Sequence, residues 1–150
     1  MKLEIKNAML MSVLEYLPKL QDLTGKENRA RMKLSNKASE KFNELRSDLL
    51  EIKSEHPDDE EKQKSETEEL VKETAIIDMT EYSQYMPTLK HVLLDYDKGI
   101  DTYSEPGRPS DASIHDYLID VLEEALNEED SNNETQMDTK IEEAEYQEVD

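Results

Sequence analysis

The sequence predicts a mainly α-helical protein with a minor β component. Apolar residues recur at helical spacing through most of the chain, two short segments have the pattern of strands, and the C-terminal segment is polar and acidic. We expect a long helical hairpin with shorter helices, a two-stranded β pairing of residues 2–6 with 75–79, and a disordered acidic C-terminal tail. This divides the chain into a single helical domain, residues 1–127, and a tail, residues 128–150.

The two predicted strands lie far apart in the sequence. Residues 2–6 alternate charged and apolar side chains, which is the period of a half-buried strand. Residues 75–79 form a short apolar run with two isoleucines. Two strands alone are marginally stable, so we expect them to pack against helices. Asn7 follows the first strand and is the predicted N-cap of the first helix, which Pro18 should kink or end.

The longest predicted helix runs from about residue 26 to residue 55 and ends before Pro57. Its apolar positions form a narrow stripe, typical of a helical hairpin or a short coiled coil: Leu34, Ala38, Phe42, Leu45, Leu49 and Ile52. The following residues, 60–73, contain few apolar side chains. They predict either a weakly packed helix or a mobile connection.

Two further helices are predicted in the second half of the chain. Thr80 is the candidate N-cap of the first, and Pro87 should kink it. Its inner face comprises Tyr82, Met86, Leu89, Leu93 and Tyr96. Glycines and prolines predict a loop over residues 97–111, after which Asp111 should cap the last helix. The inner face of that helix comprises Ile114, Leu118, Val121, Leu122 and Ala125.

The charge balance restricts the class of partner. There are 18 Lys and Arg against 38 Asp and Glu, a net charge of −20, and residues 123–150 hold 12 acidic residues and one lysine. This argues against unaided binding to nucleic acid or an anionic membrane, because phosphates need cationic side chains. The chain has no cysteine, no signal-peptide pattern and no apolar run of membrane-spanning length. We therefore expect synthesis in the cytoplasm.

No constellation in the sequence indicates catalysis. The three histidines have no second His or Cys at metal spacing, and phosphate-loop and nucleophile-elbow motifs are missing. Three glycines are too few for the usual cofactor cradle. The acidic run 58–61 lacks the ligand spacing of a calcium loop and is better explained as a solvated turn. We predict no enzyme activity, no catalytic residue, no cofactor and no metal ligand.

One basic segment contrasts with the overall charge. Residues 26–41 carry six cationic residues against two acidic ones. Five of the six are candidate partner-binding residues: Lys26, Arg29, Arg31, Lys33 and Lys37. The alternative is an internal electrostatic match to the acidic segments 58–73 and 95–105, or to the tail. No aromatic stacking platform accompanies the segment, which further disfavours nucleic acid as its partner.

Tyrosines are the other candidates for partner binding. Five of the seven lie between residues 82 and 117. Tyrosine is favoured at interfaces because it combines a large apolar area with a polar tip. Tyr82, Tyr85 and Tyr96 are therefore candidate contact residues, and the alternative is that they only border a thin helical core.

Three short segments carry a resemblance to known proteins. They are the opening residues 1–7, the turn and helix start at 25–31, and the junction at 76–82. Together they resemble a family of small phage and prophage proteins from tailed phages of Gram-positive bacteria, over residues 1–127. The resemblance implies a protein encoded near tail and lysis genes, and it supplies no catalytic residues. The loop 97–111 is longer than the connection expected in that family.

The leading hypothesis is a non-enzymatic phage accessory protein, a tail or structural-module component or an assembly helper, acting through protein–protein contacts. Its partner would be a phage structural protein or a host protein, in the host cytoplasm or within the virion. The alternative is an acidic decoy that mimics nucleic acid and inhibits a host nucleic-acid-binding or defence protein. The long apolar stripe also leaves a homo-oligomer open.

Overall fold

The computed structural model describes the backbone of residues 1–148 and the side chains of residues 1–131. In chain order the elements are β1 (Lys2–Lys6), α1 (Asn7–Tyr16), a 3₁₀ turn (Leu17–Lys19), α2 (Gly25–Glu55), α3 (Glu60–Lys72), β2 (Thr74–Asp78), a 3₁₀ segment (Thr80–Tyr85), α4 (Met86–Asp95) and α5 (Asp111–Glu148). The predicted mainly helical fold with one two-stranded sheet is confirmed.

The two strands pair antiparallel, as predicted. Leu3 lies opposite Ile77, and both side chains are buried on the face of the sheet that packs on the helices. The second strand ends one residue earlier than expected. Met79 follows it, and its backbone N–H donates to the carbonyl of Met1 at 2.9 Å, so the chain stays attached to the N-terminus beyond the ladder.

The core lies between the sheet and helices α1, α2, α4 and α5. All five predicted inner-face residues of α5 are buried. On α2, Leu34, Ala38 and Leu45 are buried, whereas Phe42 and Leu49 are only partly covered. A capping box starts α2, because Thr24 accepts from the N–H of Glu27 while the Glu27 carboxylate accepts from the N–H of Thr24.

Helices α2 and α3 form the predicted hairpin. Asp59 begins α3 by accepting a hydrogen bond from the N–H of Lys62 at 3.1 Å. No residue of α3 is buried, which matches its low apolar content and confirms the weakly packed helix among the two alternatives. The apolar contact between α3 and the buried core is made by Leu70, which is partly buried.

Asn7 does not cap α1. The chain leaves β1 directly into the helix, so Lys6, with extended backbone angles, occupies the N-cap position and Asn7 is the first helical residue. The Asn7 side-chain amide instead donates to the carbonyl of Leu70 at 2.8 Å, and its backbone N–H donates to Glu73 at 2.9 Å. Asn7 therefore ties the start of α1 to the end of α3.

The start of α4 also differs from the prediction. Met79 takes the N-cap position of the preceding 3₁₀ segment, because the Thr80 hydroxyl donates to the Asp78 carboxylate. Tyr82 belongs to this 3₁₀ segment. Pro87 lies in the first turn of α4, where a missing N–H costs nothing, so it starts the helix and does not kink it.

The predicted loop between α4 and α5 is present. Gly107 adopts a positive φ of 82° in a turn closed by pairing of Glu105 with Arg108, a conformation that suits a residue without Cβ. The cap of α5 is Ser110, whose hydroxyl accepts from the N–H of Ser113 at 3.1 Å. Asp111, the predicted cap, is the first helical residue.

Beyond the predicted domain end at residue 127, residues 128–131 continue α5. The Glu129 carboxylate lies 3.3 Å from the amino group of Met1, so contacts with the folded body extend past that boundary. The rest of the predicted disordered tail, from residue 132, lies outside the residues whose side chains are described.

Candidate functional site

Four predicted basic residues share one face of α2. Lys26, Arg29, Lys33 and Lys37 follow each other at steps of three, four and four residues, which places them in one row along a helix. We call this row the basic stripe. Lys26 and Arg29 are exposed and the other two are half-buried. The row borders the buried face of the helix, so it lies at the seam between α2 and the elements packed beside it.

Tyr82 lies next to the basic stripe. The ammonium of Lys33 lies 4.7 Å from the centroid of the Tyr82 ring, which is cation–π geometry. The contact forms because the 3₁₀ segment before α4 packs across α2. The structure therefore brings together a lysine and a tyrosine that are far apart in the sequence and that were both predicted to bind a partner.

The basic stripe has few carboxylate partners. Among the described side chains, Lys37 lies 3.8 Å from Glu40 on the same helix, and Lys26 and Arg29 form no ion pair. The acidic segments 58–73 and 95–105 supply no partner to the stripe within that part of the chain. An internal match to those two segments therefore has no support in the described contacts. A match to the tail concerns side chains that, from residue 132 onward, lie outside the described ones.

Arg31, on a different face of α2, has a local structural role. Its guanidinium donates to the carbonyl of Leu20 at 2.9 Å and to the side chain of Asn28. These bonds hold the turn before α2 against the helix. Arg31 is thereby separated from the other basic candidates, in position and in the partners it has.

The three candidate tyrosines divide into two groups. Tyr82 and Tyr85 are half-buried, packing against the core from the 3₁₀ segment. Tyr96 lies at the end of α4, where its hydroxyl accepts from the N–H of Gln21 at 3.2 Å and lies 3.4 Å from the carbonyl of Lys19. Tyr96 thus anchors the segment before α2, away from the other two.

A buried polar pair was not predicted from the sequence. His115 and Tyr16 are both buried, and the Tyr16 hydroxyl lies 2.6 Å from His115 Nδ1. His115 Nε2 lies 2.7 Å from the carbonyl of Leu93, which only accepts. Nε2 therefore carries the proton and Nδ1 accepts from the hydroxyl. Burial raises the pKa of Tyr16 to about 12, which keeps the hydroxyl protonated as a donor.

An acidic cleft of about 440 Å³ lies between the segment before α2 and the end of α4, open to solvent. Four carboxylates line it: Asp22, Glu27, Asp95 and Asp97. Lys98 also lines it, with its ammonium 2.9 Å from Asp22. The hydrogen bond and charge of Asp22 raise the pKa of Lys98. His91 is 3.3 Å from Asp95, four residues later on the same helix, and both side chains are exposed.

A second grouping of ionisable residues lies where α2 turns into α3. Glu55, His56 and Glu66 each offer a ligand atom, and these atoms lie within 4.8 Å of one another. The sequence predicted no metal ligand, because none of the three histidines has a second His or Cys at metal spacing. The grouping could have been found by aligning α2 and α3 as a hairpin over residues 55–66, which shows which side chains face each other.

Among the described residues, no helix combines the length and apolar character that crossing a membrane requires. Comparison with known proteins matches no family model, no curated protein and no solved structure. The resemblance to small proteins of tailed phages therefore stays a prediction.

Proposed function

We propose that this protein is a non-enzymatic accessory protein that acts by binding another protein. The docking surface is the basic stripe together with Tyr82 and Tyr85, and the partner presents carboxylates. The observation that carries the proposal is a row of four cations of which, among the described side chains, only Lys37 has a carboxylate partner, on a protein of net charge −20.

The chemistry of the surface supports this assignment. Exposed charges of one sign steer a partner of opposite charge and suppress wrong pairings more than they add affinity. Adjacent tyrosines supply the apolar area that a stable contact needs. Lys33 belongs to both parts, since its ammonium lies on the Tyr82 ring. An acidic patch on a protein therefore fits better than nucleic acid, because the net charge of the chain repels a continuous row of phosphates more strongly than a local group of carboxylates.

The sequence resemblance extends the proposal to a phage role. The partner is then a tail or structural-module protein, and this chain is a component of that module or a helper in its assembly, in the host cytoplasm or the virion. Mass spectrometry of purified phage particles tests incorporation. Detection of the chain at a fixed ratio to tail proteins indicates a component. Absence from particles, together with normal tails after deletion of its gene, contradicts both roles.

The docking surface is tested by charge reversal. The variant Lys26→Glu, Arg29→Glu and Lys33→Glu reverses three cations of the stripe. A matched control reverses three exposed lysines of α3: Lys62→Glu, Lys64→Glu and Lys72→Glu. Circular dichroism first establishes that both variants are folded. In quantitative affinity purification from infected cells, the wild type and the control should retain an acidic phage structural protein that the stripe variant loses. Equal retention by all three chains would contradict the proposal.

The alternative, an acidic decoy, is favoured by a different observation. The acidic cleft groups four carboxylates, and residues 123–150 are strongly acidic. A decoy would bind a host nucleic-acid-binding protein, and its affinity would fall steeply with salt. It would survive reversal of the basic stripe. A chain ending at Ser131 separates the two acidic regions, since a decoy based on the tail fails in that chain.

A further inference from the structure

We propose that Glu55, His56 and Glu66 form a binding site for a divalent transition-metal ion, with Zn²⁺ the best fit. Glu55 and His56 lie at the C-terminal end of α2, and Glu66 lies in the middle of α3. An ion held by these three side chains joins the two arms of the hairpin. The proposal is independent of the basic stripe and of the function assigned to it.

The distances suit such an ion. The three ligand atoms lie within 4.8 Å of one another, and His56 Nε2 lies 3.0 Å from Glu66 Oε1. A tetrahedral Zn²⁺ with bonds of about 2.0–2.1 Å holds neighbouring ligands roughly 3.3 Å apart. The His56–Glu66 pair already has nearly this separation. Glu55 is exposed, so its side chain is free to close the remaining distance by rotation.

The donor set selects the class of metal. An imidazole nitrogen favours Zn²⁺, Cu²⁺ or Ni²⁺ over Mg²⁺ and Ca²⁺, which prefer oxygen ligands only. Two carboxylates balance the charge of a divalent ion. Three protein ligands leave the fourth position of Zn²⁺ to water. The adjacent acidic run 58–61 adds a negative potential that attracts the cation.

The backbone around His56 is fixed before an ion binds. Its N–H donates to the carbonyl of Ile52 at 3.3 Å, and its own carbonyl accepts from the N–H of Asp59 at 3.2 Å and from the side-chain amide of Gln63. These bonds define the end of α2 and the direction in which α3 leaves it. Little backbone ordering is therefore needed when the ligands converge, which favours binding.

Metal binding would supply a constraint that apolar packing does not. No side chain of α3 is buried, so few apolar contacts oppose separation of its first turns from α2. An ion that binds only the closed hairpin raises the ratio of closed to open hairpin by a factor of one plus its free concentration over its dissociation constant. The site therefore couples metal concentration to the position of α3.

The test uses the full chain with Zn²⁺ and Co²⁺ as probes. Isothermal titration calorimetry should give one saturable Zn²⁺ per chain, and bound Co²⁺ should show the visible absorption of a tetrahedral site. His56→Ala and Glu66→Gln should each weaken Zn²⁺ binding by at least about tenfold. His91→Ala is the matched control, since it removes another histidine paired with a carboxylate, and it should bind as the wild type does.

A structural readout distinguishes the site from adventitious binding. Some amides of α3 exchange only when the hairpin opens and the site is broken. With free Zn²⁺ at about 100 times its dissociation constant, exchange of these amides should slow roughly 100-fold, whereas exchange of α4 amides should stay unchanged. Three results would overturn the proposal. The first is no saturable Zn²⁺ binding, which would leave an ordinary His56–Glu66 ion pair. The others are equal Zn²⁺ binding by the wild type and the two site variants, and complete displacement of Zn²⁺ by equimolar Mg²⁺.

Discussion

The two halves of α2 lie in contrasting environments. In the first half, Ala30, Leu34 and Ala38 are fully buried against the sheet and the neighbouring helices. We call this packed region, the first part of α2 together with the sheet and those helices, the core body. Beyond Leu45, in the rest of α2 and in α3, residues 46–72, no side chain is buried, and we call this segment the hairpin arm. One continuous helix thus belongs to two regions that are stabilised by different forces.

The difference follows from what each half meets. The apolar stripe of α2 continues into the arm through Leu49 and Ile52, but α3 offers little apolar surface to cover it. The core body gains about 25 cal/mol for each Å² of apolar surface it removes from water. The arm relies on hydrogen bonds and on partly exposed ion pairs worth about 0–1 kcal/mol each. We therefore expect the arm to open while the core body stays folded.

The largest expected difference comes from the same substitution in each region. Leu34→Ala removes a fully buried side chain and should lower the free energy of unfolding by about 2–5 kcal/mol. Leu70→Ala removes a partly covered side chain from the arm and should cost less than half as much. Leu50→Ala, 63% exposed on the same helix as Leu34, is the control and should change stability by about 0.5 kcal/mol or less. Urea denaturation measures all three, and equal losses for Leu34→Ala and Leu70→Ala would remove the distinction.

A polar pair in each region extends the comparison. Tyr16→Phe removes the donor to His115 Nδ1 and leaves a buried acceptor unsatisfied, so it should cost about 1–3 kcal/mol. Glu66→Gln changes the half-exposed pair with His56 and should cost under about 1 kcal/mol without metal. Tyr103→Phe, with a ring that is 70% exposed, controls for loss of a hydroxyl. If Glu66→Gln proves the more damaging by thermal denaturation, polar contacts contribute more to the arm than this account allows.

Helix caps provide a subtler comparison. Thr24→Ala removes the capping box at the core end of α2 and should lower global stability by about 1 kcal/mol, whereas Thr24→Ser should retain the cap. Asp59→Ala removes the cap of α3, and its effect should be confined to exchange of α3 amides. Chemical denaturation and hydrogen exchange together resolve the two effects. A global loss in Asp59→Ala equal to that in Thr24→Ala would show that the arm unfolds together with the core body.

The smallest expected effect is a change in the pKa of one surface carboxyl group of the core body. Hydrogen bonds from the Thr80 hydroxyl and N–H lower the pKa of Asp78. The ionised Asp78 carboxylate therefore stabilises the folded state. This stabilisation is present above the unfolded pKa of Asp78, about 3.9, and is lost as pH falls through the lower folded pKa.

Thr80→Val removes the hydroxyl bond and should raise the pKa of Asp78 toward its ordinary value, measured by NMR titration of the side-chain carboxyl carbon. Thr74→Val, at the other end of β2, should leave that pKa unchanged. An unchanged Asp78 pKa in Thr80→Val would show that the hydroxyl bond does not shift it.

Sequence periodicity was sufficient to predict the main elements. The inner face of α5 and the pairing of β1 with β2 follow from apolar spacing, which burial decides directly. Helix ends were less predictable, because a capping side chain can bond elsewhere. Asn7 donates to Leu70, and Thr80 donates to Asp78. Leu70 is 63 positions from Asn7, so local sequence does not indicate it, whereas Asp78 is two positions from Thr80 and competes for its hydroxyl locally.

The candidate sites show the same division. Helical spacing was enough to align the basic stripe, but the contact of Lys33 with Tyr82 depends on how the 3₁₀ segment crosses α2. The pairing of Tyr16 with His115 joins residues that are 99 positions apart in the sequence, and nothing in either local pattern indicates the other. Contacts of this kind follow from tertiary packing, which periodicity does not define.

Native-state hydrogen exchange over a range of low denaturant concentrations tests the division of the molecule most directly. Amides on the buried face of α5 should exchange only through global unfolding, with a strong dependence on denaturant. Amides of α3 should exchange through local opening, at lower free energy and with little dependence on denaturant. Equal protection and equal denaturant dependence in α3 and α5 would contradict the claim that the hairpin arm opens independently of the core body.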